Sequence, residues 1–182
     1  SDVYKRQILD WELSLYDTQA PGFVGLNDDF IASARLDNLL SCFGGSQAII
    51  NSADSGEWNL FVANDHEEVG SASDVGAQGP MLNDVLRAIA PDPVDDRALR
   101  QSSWMLSVDN AHAIHPNYPT KHDELHAPLL GSGPVIKINR NQRYATSGEG
   151  AARVRLLAER AGVSVQSFVV RADMGCGSTI GP

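Results

Sequence analysis

The chain has 182 residues, 42% of them hydrophobic and 20% charged, with a formal net charge of -9 and a sequence pI of about 4.8. That size and balance fit one soluble globular domain or most of one, and the acidic surplus leaves no basic footprint for nucleic acid or an anionic membrane surface. No apolar run approaches the ~20 residues of a membrane span, and Cys42 and Cys176, far apart and outside any C-x-x-C pair, read as reduced cysteines of a cytosolic protein.

In chain order, "SDVYKRQ" has a basic pair without a following apolar core, so it does not read as a signal peptide. Asp2 to Gln7 back-translate into the end sequence of a transposon adapter used in DNA library preparation, so residues 1–7 are expected to be adapter-derived and stand outside the fold. Residues 8–32 combine a short apolar stretch with the turn-rich "DTQAPGFVGLNDDF". From Ser33, the apolar residues Leu36, Leu39, Leu40 and Phe43 recur at helical spacing. The spacing predicts a helix whose Gly44-Gly45 pair either kinks it or permits close packing. "EWNLFVAN" predicts a strand, "SASDVGAQGP" a loop, and Pro80 the first turn of a helix with Met81, Leu82, Val85, Leu86 and Ile89 as its buried stripe.

"PDPVDDRALRQ" reads as a polar excursion, and "SSWMLSVDNA" as a second buried strand ending on Asp109. The long loop "HAIHPNYPTKHDELHAPLLGSG" leads to a third strand, "PVIKINR". Residues 147–162 predict a helix with Val154, Leu157 and Ala161 inward and Gly162 at its C-terminal cap, followed by a fourth strand, "VQSFVVR". The chain then stops at a glycine-rich loop of the kind that feeds a helix, and the whole reads as an interior fragment of a longer protein. Strands alternating with helices predict an α/β layered domain with a central, largely parallel sheet flanked by helices.

Acidic residues stand at the ends of these elements: Asp37 at a helix start, Glu67-Glu68 after one strand, Asp109 after another. Ligands of open α/β sheets collect beyond the carboxyl ends of the strands, so these acids are placed to converge. The adjacent glutamates of "HEEVG" serve one site only if the strand ends and the chain turns there, and Gly70 supplies the freedom for that turn. A dinuclear metal centre would use them together, one Glu as ligand and its neighbour as proton acceptor from metal-bound water. The competing reading is a pair of solvated loop residues. Asp37 in "SARLDN" is a helix cap or a carboxylate bridging two cations. In "SVDNAHAIHPNYP", His112 and His115 have zinc-ligand spacing but equally suit substrate contacts or loop order. Lys137 inside an apolar strand either snorkels to water or faces the acids, where it would pair with a substrate carboxylate. "DMGCGSTIGP" lacks the Lys of a phosphate-binding loop and is a weak nucleotide signal.

Taken in order, "SARLDN", "HEEVGS", "DNAHAIHPNYPTKH", "GPVIKINRNQRYAT" and "RADMGCGSTIGP" resemble the aspartyl aminopeptidase family of dinuclear zinc metallopeptidases, from about residue 13 to the end. The resemblance implies that residues 8–182 are part of the catalytic domain of a cytoplasmic, homo-oligomeric enzyme that removes N-terminal Asp or Glu from peptides with two Zn2+ ions. It implies Asp37 as the bridging ligand, Glu67 as the catalytic acid/base, Glu68 and Asp109 as ligands of one zinc each, and His112 and Lys137 as substrate contacts. Other divalent metals suit the same ligands. The family's two histidine ligands fall in segments this chain does not have, so the chain by itself is expected to bind metal weakly and to be nearly inactive. A dinuclear aminopeptidase of broader specificity and a catalytically silent scaffold on the same fold are the alternatives.

Overall fold

The structure, a computed structural model, describes residues 7–123, 125–139 and 144–169. It divides into two compact units, Ser1–Asp37 and Asn38–Pro182. In the first unit, β1 (Gly22–Val24) and β2 (Phe30–Ala32) pair antiparallel with Gly22 opposite Ala32. The turn between them needs left-handed backbone at Gly25 and Asp28, with φ of 105° and 55°. At Gly25 a side chain would also strike Asp29, its Cβ lying 2.6 Å from Oδ2. The turn residues were legible in the sequence; the short strands on either side of them were not.

Helix α1 (Leu36–Asn51) runs through Gly44-Gly45 without interruption. Only Gly45 serves close packing: its Cβ would lie 2.4 Å from the ring of Phe61, whereas one on Gly44 would meet nothing within 4 Å. Helix α2 (Met81–Ile89) starts after Pro80 as expected, and Leu82 and Leu86 are its half-buried residues, while Met81, Val85 and Ile89 stay exposed. Leu60 to Ala63 and the exposed side of α2 line an open apolar groove of about 290 Å³. The "polar excursion" is a third helix, α3 (Pro93–Ser102). Asp92 caps it by accepting from the backbone of Val94 at 2.8 Å, Pro93 occupies its first turn, and Asp96 pairs with Arg100 at 2.9 Å one turn on.

The best-buried part of the second unit is a β-α-β element. Strands β3 (Val135–Ile138) and β4 (Gln166–Val169) pair parallel in the register Val135 to Gln166 and Lys137 to Phe168, with α4 (Gly148–Ala161) as the connection that parallel strands require. Ser147 caps α4, and Gly162 ends it in the left-handed conformation. The half-buried line of α4 runs through Ala151, Val154 and Ala158, so Leu157 and Ala161, expected inward, lie exposed. Leu157 is about 100° round the helix from Ala158, enough to leave that face. Ile136 (7% exposed), Phe168 (8%) and Ala90 (9%) are the buried apolar residues among those described.

The molecule is thus mixed α/β, but its sheets are small. Residues 57–64 and 102–109, expected as strands, join no ladder among the described residues, and Ser102 closes α3 instead; Asp65 alone makes an isolated parallel bridge, to Gly76. Strand composition is necessary for a strand and does not suffice, because the backbone donors and acceptors also need a neighbour. The expected end of the fourth strand and the glycine-rich "ADMGCGSTIGP" lie outside the described residues.

Candidate active site

The two adjacent glutamates sit on a turn, as the sequence required. Glu67–Val69 form one turn of 3-10 helix, closed by Gly70 N–H donating to the Glu67 carbonyl at 2.9 Å, with Gly70 at φ 95°. Successive residues of such a turn are ~120° apart, so the carboxylates splay instead of facing one another, and both stand exposed. No cation is needed between them to hold the backbone. The loop that follows, residues 70–79, folds back beneath the turn. Ser71 is buried, donates N–H to the His66 carbonyl at 2.8 Å, and accepts from Gln78 N–H at 3.2 Å. Gly76 packs against Ser71 so closely that a Cβ would lie 2.2 Å from the Ser71 carbonyl oxygen.

A second group forms at Asp109. Lys137, on β3, does not snorkel: its Nζ donates to Asp109 Oδ2 at 3.1 Å and to the Asn110 carbonyl at 2.5 Å, and lies 5.8 Å from the Tyr144 ring centre. The other Asp109 oxygen accepts from Asn110 N–H at 2.8 Å. One residue earlier, the Val108 carbonyl accepts from the Asn38 side chain at 3.3 Å, which ties the segment before Asp109 to α1. His112 lies exposed three residues beyond Asp109.

His115 and His126 order the long loop. His115 Nδ1 accepts from Asn117 N–H at 3.1 Å and its ring lies 5.2 Å from that of Tyr118. His126 Nδ1 and Asp123 Oδ1 are 2.6 Å apart, and that hydrogen bond, with a lesser one from Leu125 N–H, holds the Asp123 carboxyl below its ordinary value. Gln166 then clamps the end of the loop to β4, accepting from Leu129 N–H at 2.8 Å and donating to the Leu129 and Gly133 carbonyls at 3.0 Å.

Of the expected site residues, then, Asp109 and Lys137 are in contact, Glu67 and Glu68 share one turn, His112 is exposed three residues beyond Asp109, and Asp37 is the second residue of α1 and the last of the first unit. Among the described residues no three His, Cys, Asp or Glu side chains gather closely enough to hold a metal ion. By themselves they do not fit a zinc ion. The physical reason is the missing ladder: strands bring their ends side by side only when paired, and the segments leading to Glu67 and Asp109 are not. Ser73, Asn38 and the Asp123–His126 pair were missed in the sequence. For Asp123–His126 the i, i+3 spacing was the available signal; for the other two there was none.

The aminopeptidase I zinc metalloproteases, M18, match residues 2–182. The chain belongs to the M18 family. It is 60% identical over 181 residues to a probable M18 family aminopeptidase 2 of Pseudomonas entomophila, a match that takes in all of this chain and 42% of that protein. Among solved structures it superposes on a chain of the Ape4 and Nbr1 complex with a TM-score of 0.81 at 39% identity, over 90% of this chain and 33% of that one. Against the S. cerevisiae mApe1 dodecamer the TM-score is 0.76 at 32% identity, over 85% of this chain and 38% of that one. The chain thus spans well under half the length of the M18 proteins it matches.

Proposed function

We propose that the full-length protein carrying this chain is a metalloaminopeptidase that releases N-terminal Asp or Glu from peptides. The observation that carries this reading is the inward-facing Lys137: an ammonium with 18% of its side chain exposed, at the end of β3 beside Asp109, offers a substrate carboxylate a partly desolvated cation. His112 joins it as a substrate contact. Glu67, on an exposed turn, is the proton carrier: its carboxylate accepts a proton from the attacking water and delivers it to the departing amine. Two zinc ions are the proposed cofactor of the full-length protein, with Asp37, Glu68 and Asp109 as this chain's contribution of ligands. The described residues do not assemble a cage, and the 182-residue chain alone is proposed to bind zinc weakly and to be nearly inactive.

The protein is further proposed to self-associate in the cytoplasm; the dodecamer of the mApe1 relative supports the oligomer. The test of specificity is Lys137→Met in the full-length protein. Loss of the cation should lower kcat/KM for an Asp-terminal peptide about a hundredfold, the ~2–3 kcal/mol of a charged hydrogen bond, and leave a Leu-terminal peptide unaffected. Equal cleavage of both peptides by the parent protein would instead establish the broader-specificity aminopeptidase.

A further inference from the structure

We infer that His66 and Ser73 form a brace that aims Glu67, an inference that rests on the reading of Glu67 as the proton carrier. His66 immediately precedes Glu67 and has φ 59°, ψ 25°. The left-handed region is uncommon outside glycine, although Asn, Asp and His enter it more readily than most, and a residue stays there only where its surroundings enforce it. Here they do. His66 Nδ1 is hydrogen-bonded to Ser73 Oγ at 2.7 Å, and the same Oγ accepts from Gly76 N–H at 3.0 Å. Gly76 bridges back to Asp65, whose N–H donates to the Val75 carbonyl at 3.3 Å, while Asp65 Oδ1 accepts from His66 N–H at 2.8 Å. The ring of contacts Asp65–Gly76–Ser73–His66 closes on the residue before Glu67.

The same backbone group continues the effect into the turn. The His66 carbonyl accepts from both Val69 N–H at 3.3 Å and Ser71 N–H at 2.8 Å, so the φ and ψ of His66 set where the 3-10 turn begins. The Cα–Cβ direction of Glu67 is fixed by the backbone that enters the turn through His66. A surface hydrogen bond of this kind contributes little to global stability. Its effect falls on direction, where an error of about 1 Å in a reacting group lowers a rate about a hundredfold. His66 and Ser73 are positioning residues.

The experiment compares four variants of the full-length protein on one Asp-terminal peptide. Ser73→Ala removes the bond and keeps His66; His66→Gly keeps the backbone conformation and removes the bond; His66→Asn keeps a left-handed preference and a polar side chain; Glu67→Gln tests the residue being aimed. The expected result is a fall in kcat of about ten- to a hundredfold for Ser73→Ala and His66→Gly, with KM and Tm unchanged, and recovery of most of kcat in His66→Asn. If Glu67→Gln abolishes turnover while Ser73→Ala stays within about twofold of the parent, or if kcat falls only in step with Tm, the brace is refuted and the role of Glu67 stands. If Glu67→Gln is fully active, the reading of Glu67 fails and takes the brace with it.

Discussion

Lys137 turns its charge towards Asp109, and this decides how that part of the second unit answers to substitution. Asp109 accepts from Lys137 and from the Asn110 backbone with about a quarter of its side chain exposed, so removing the ammonium leaves a partly desolvated carboxylate without its cation. In the 182-residue chain, Lys137→Met should lower unfolding free energy by about 1–3 kcal/mol, measured in urea. Asp123 responds to pH instead. His126 holds its carboxyl below the ordinary value, so the ionised form stabilises the fold above the unfolded pKa, and that stabilisation disappears as pH falls from about 3.8 through the lowered folded value. Acid titration of Asp123→Asn should show a shallower loss of stability across that window than the parent chain, with the parent the more stable at neutral pH and the two converging at the acid end. The residue identities at both places were plain in the sequence. The direction of Lys137 was not: alternation along β3 sets it opposite Ile136 and Ile138, but which face carries the acid depends on a segment 28 residues earlier in the chain.

At the scale of elements, local chemistry was legible and pairing was not. α3 could have been recognised from Asp92-Pro93 at its start, acids in the first turn and Arg100 in the last, a pattern whose polarity concealed it. Asp92→Ala should cost about 0.5–2 kcal/mol, seen as a fall in Tm and in helical circular dichroism. α4 and the strands β3 and β4 were read from their apolar residues and from Gly162, signals that are local; which strand each pairs with was not read. The segments at 57–64 and 103–108 carry the same apolar signal without, among the described residues, the neighbour that would turn it into a ladder. The loop below Glu67 makes a different kind of demand. At Gly76 a methyl group would meet backbone, which cannot swing aside as a side chain can. Gly76→Ala should therefore destabilise by about 1–3 kcal/mol in thermal melts and lower activity of the full-length protein further than Tm alone explains.

For the whole chain, the fold class and the family were both readable, since five motifs in order identify a family even where the metal cage they imply is not assembled among the described residues. What lay beyond reach was the extent of the core. Large apolar side chains stand in the open in both units, among them Phe23, Ile31, Trp58, Trp104, Met105 and Leu106, and the described core is three residues. The 182-residue chain should bind an apolar dye such as ANS strongly and hold less than one tightly bound zinc per chain by metal analysis, whereas the full-length M18 protein should exclude the dye, retain its metal and run as a large oligomer in light scattering.

The unladdered stretches at 57–64 and 103–108 also bear on how the chain behaves in company. A strand-forming segment with free backbone edges recruits the nearest similar segment, and in a concentrated solution that is another copy of itself. Made alone, this polypeptide would sediment as its amount rises, at temperatures where each copy still holds its helices. Yield from expression would then be governed by dilution and by chaperones more than by cooling.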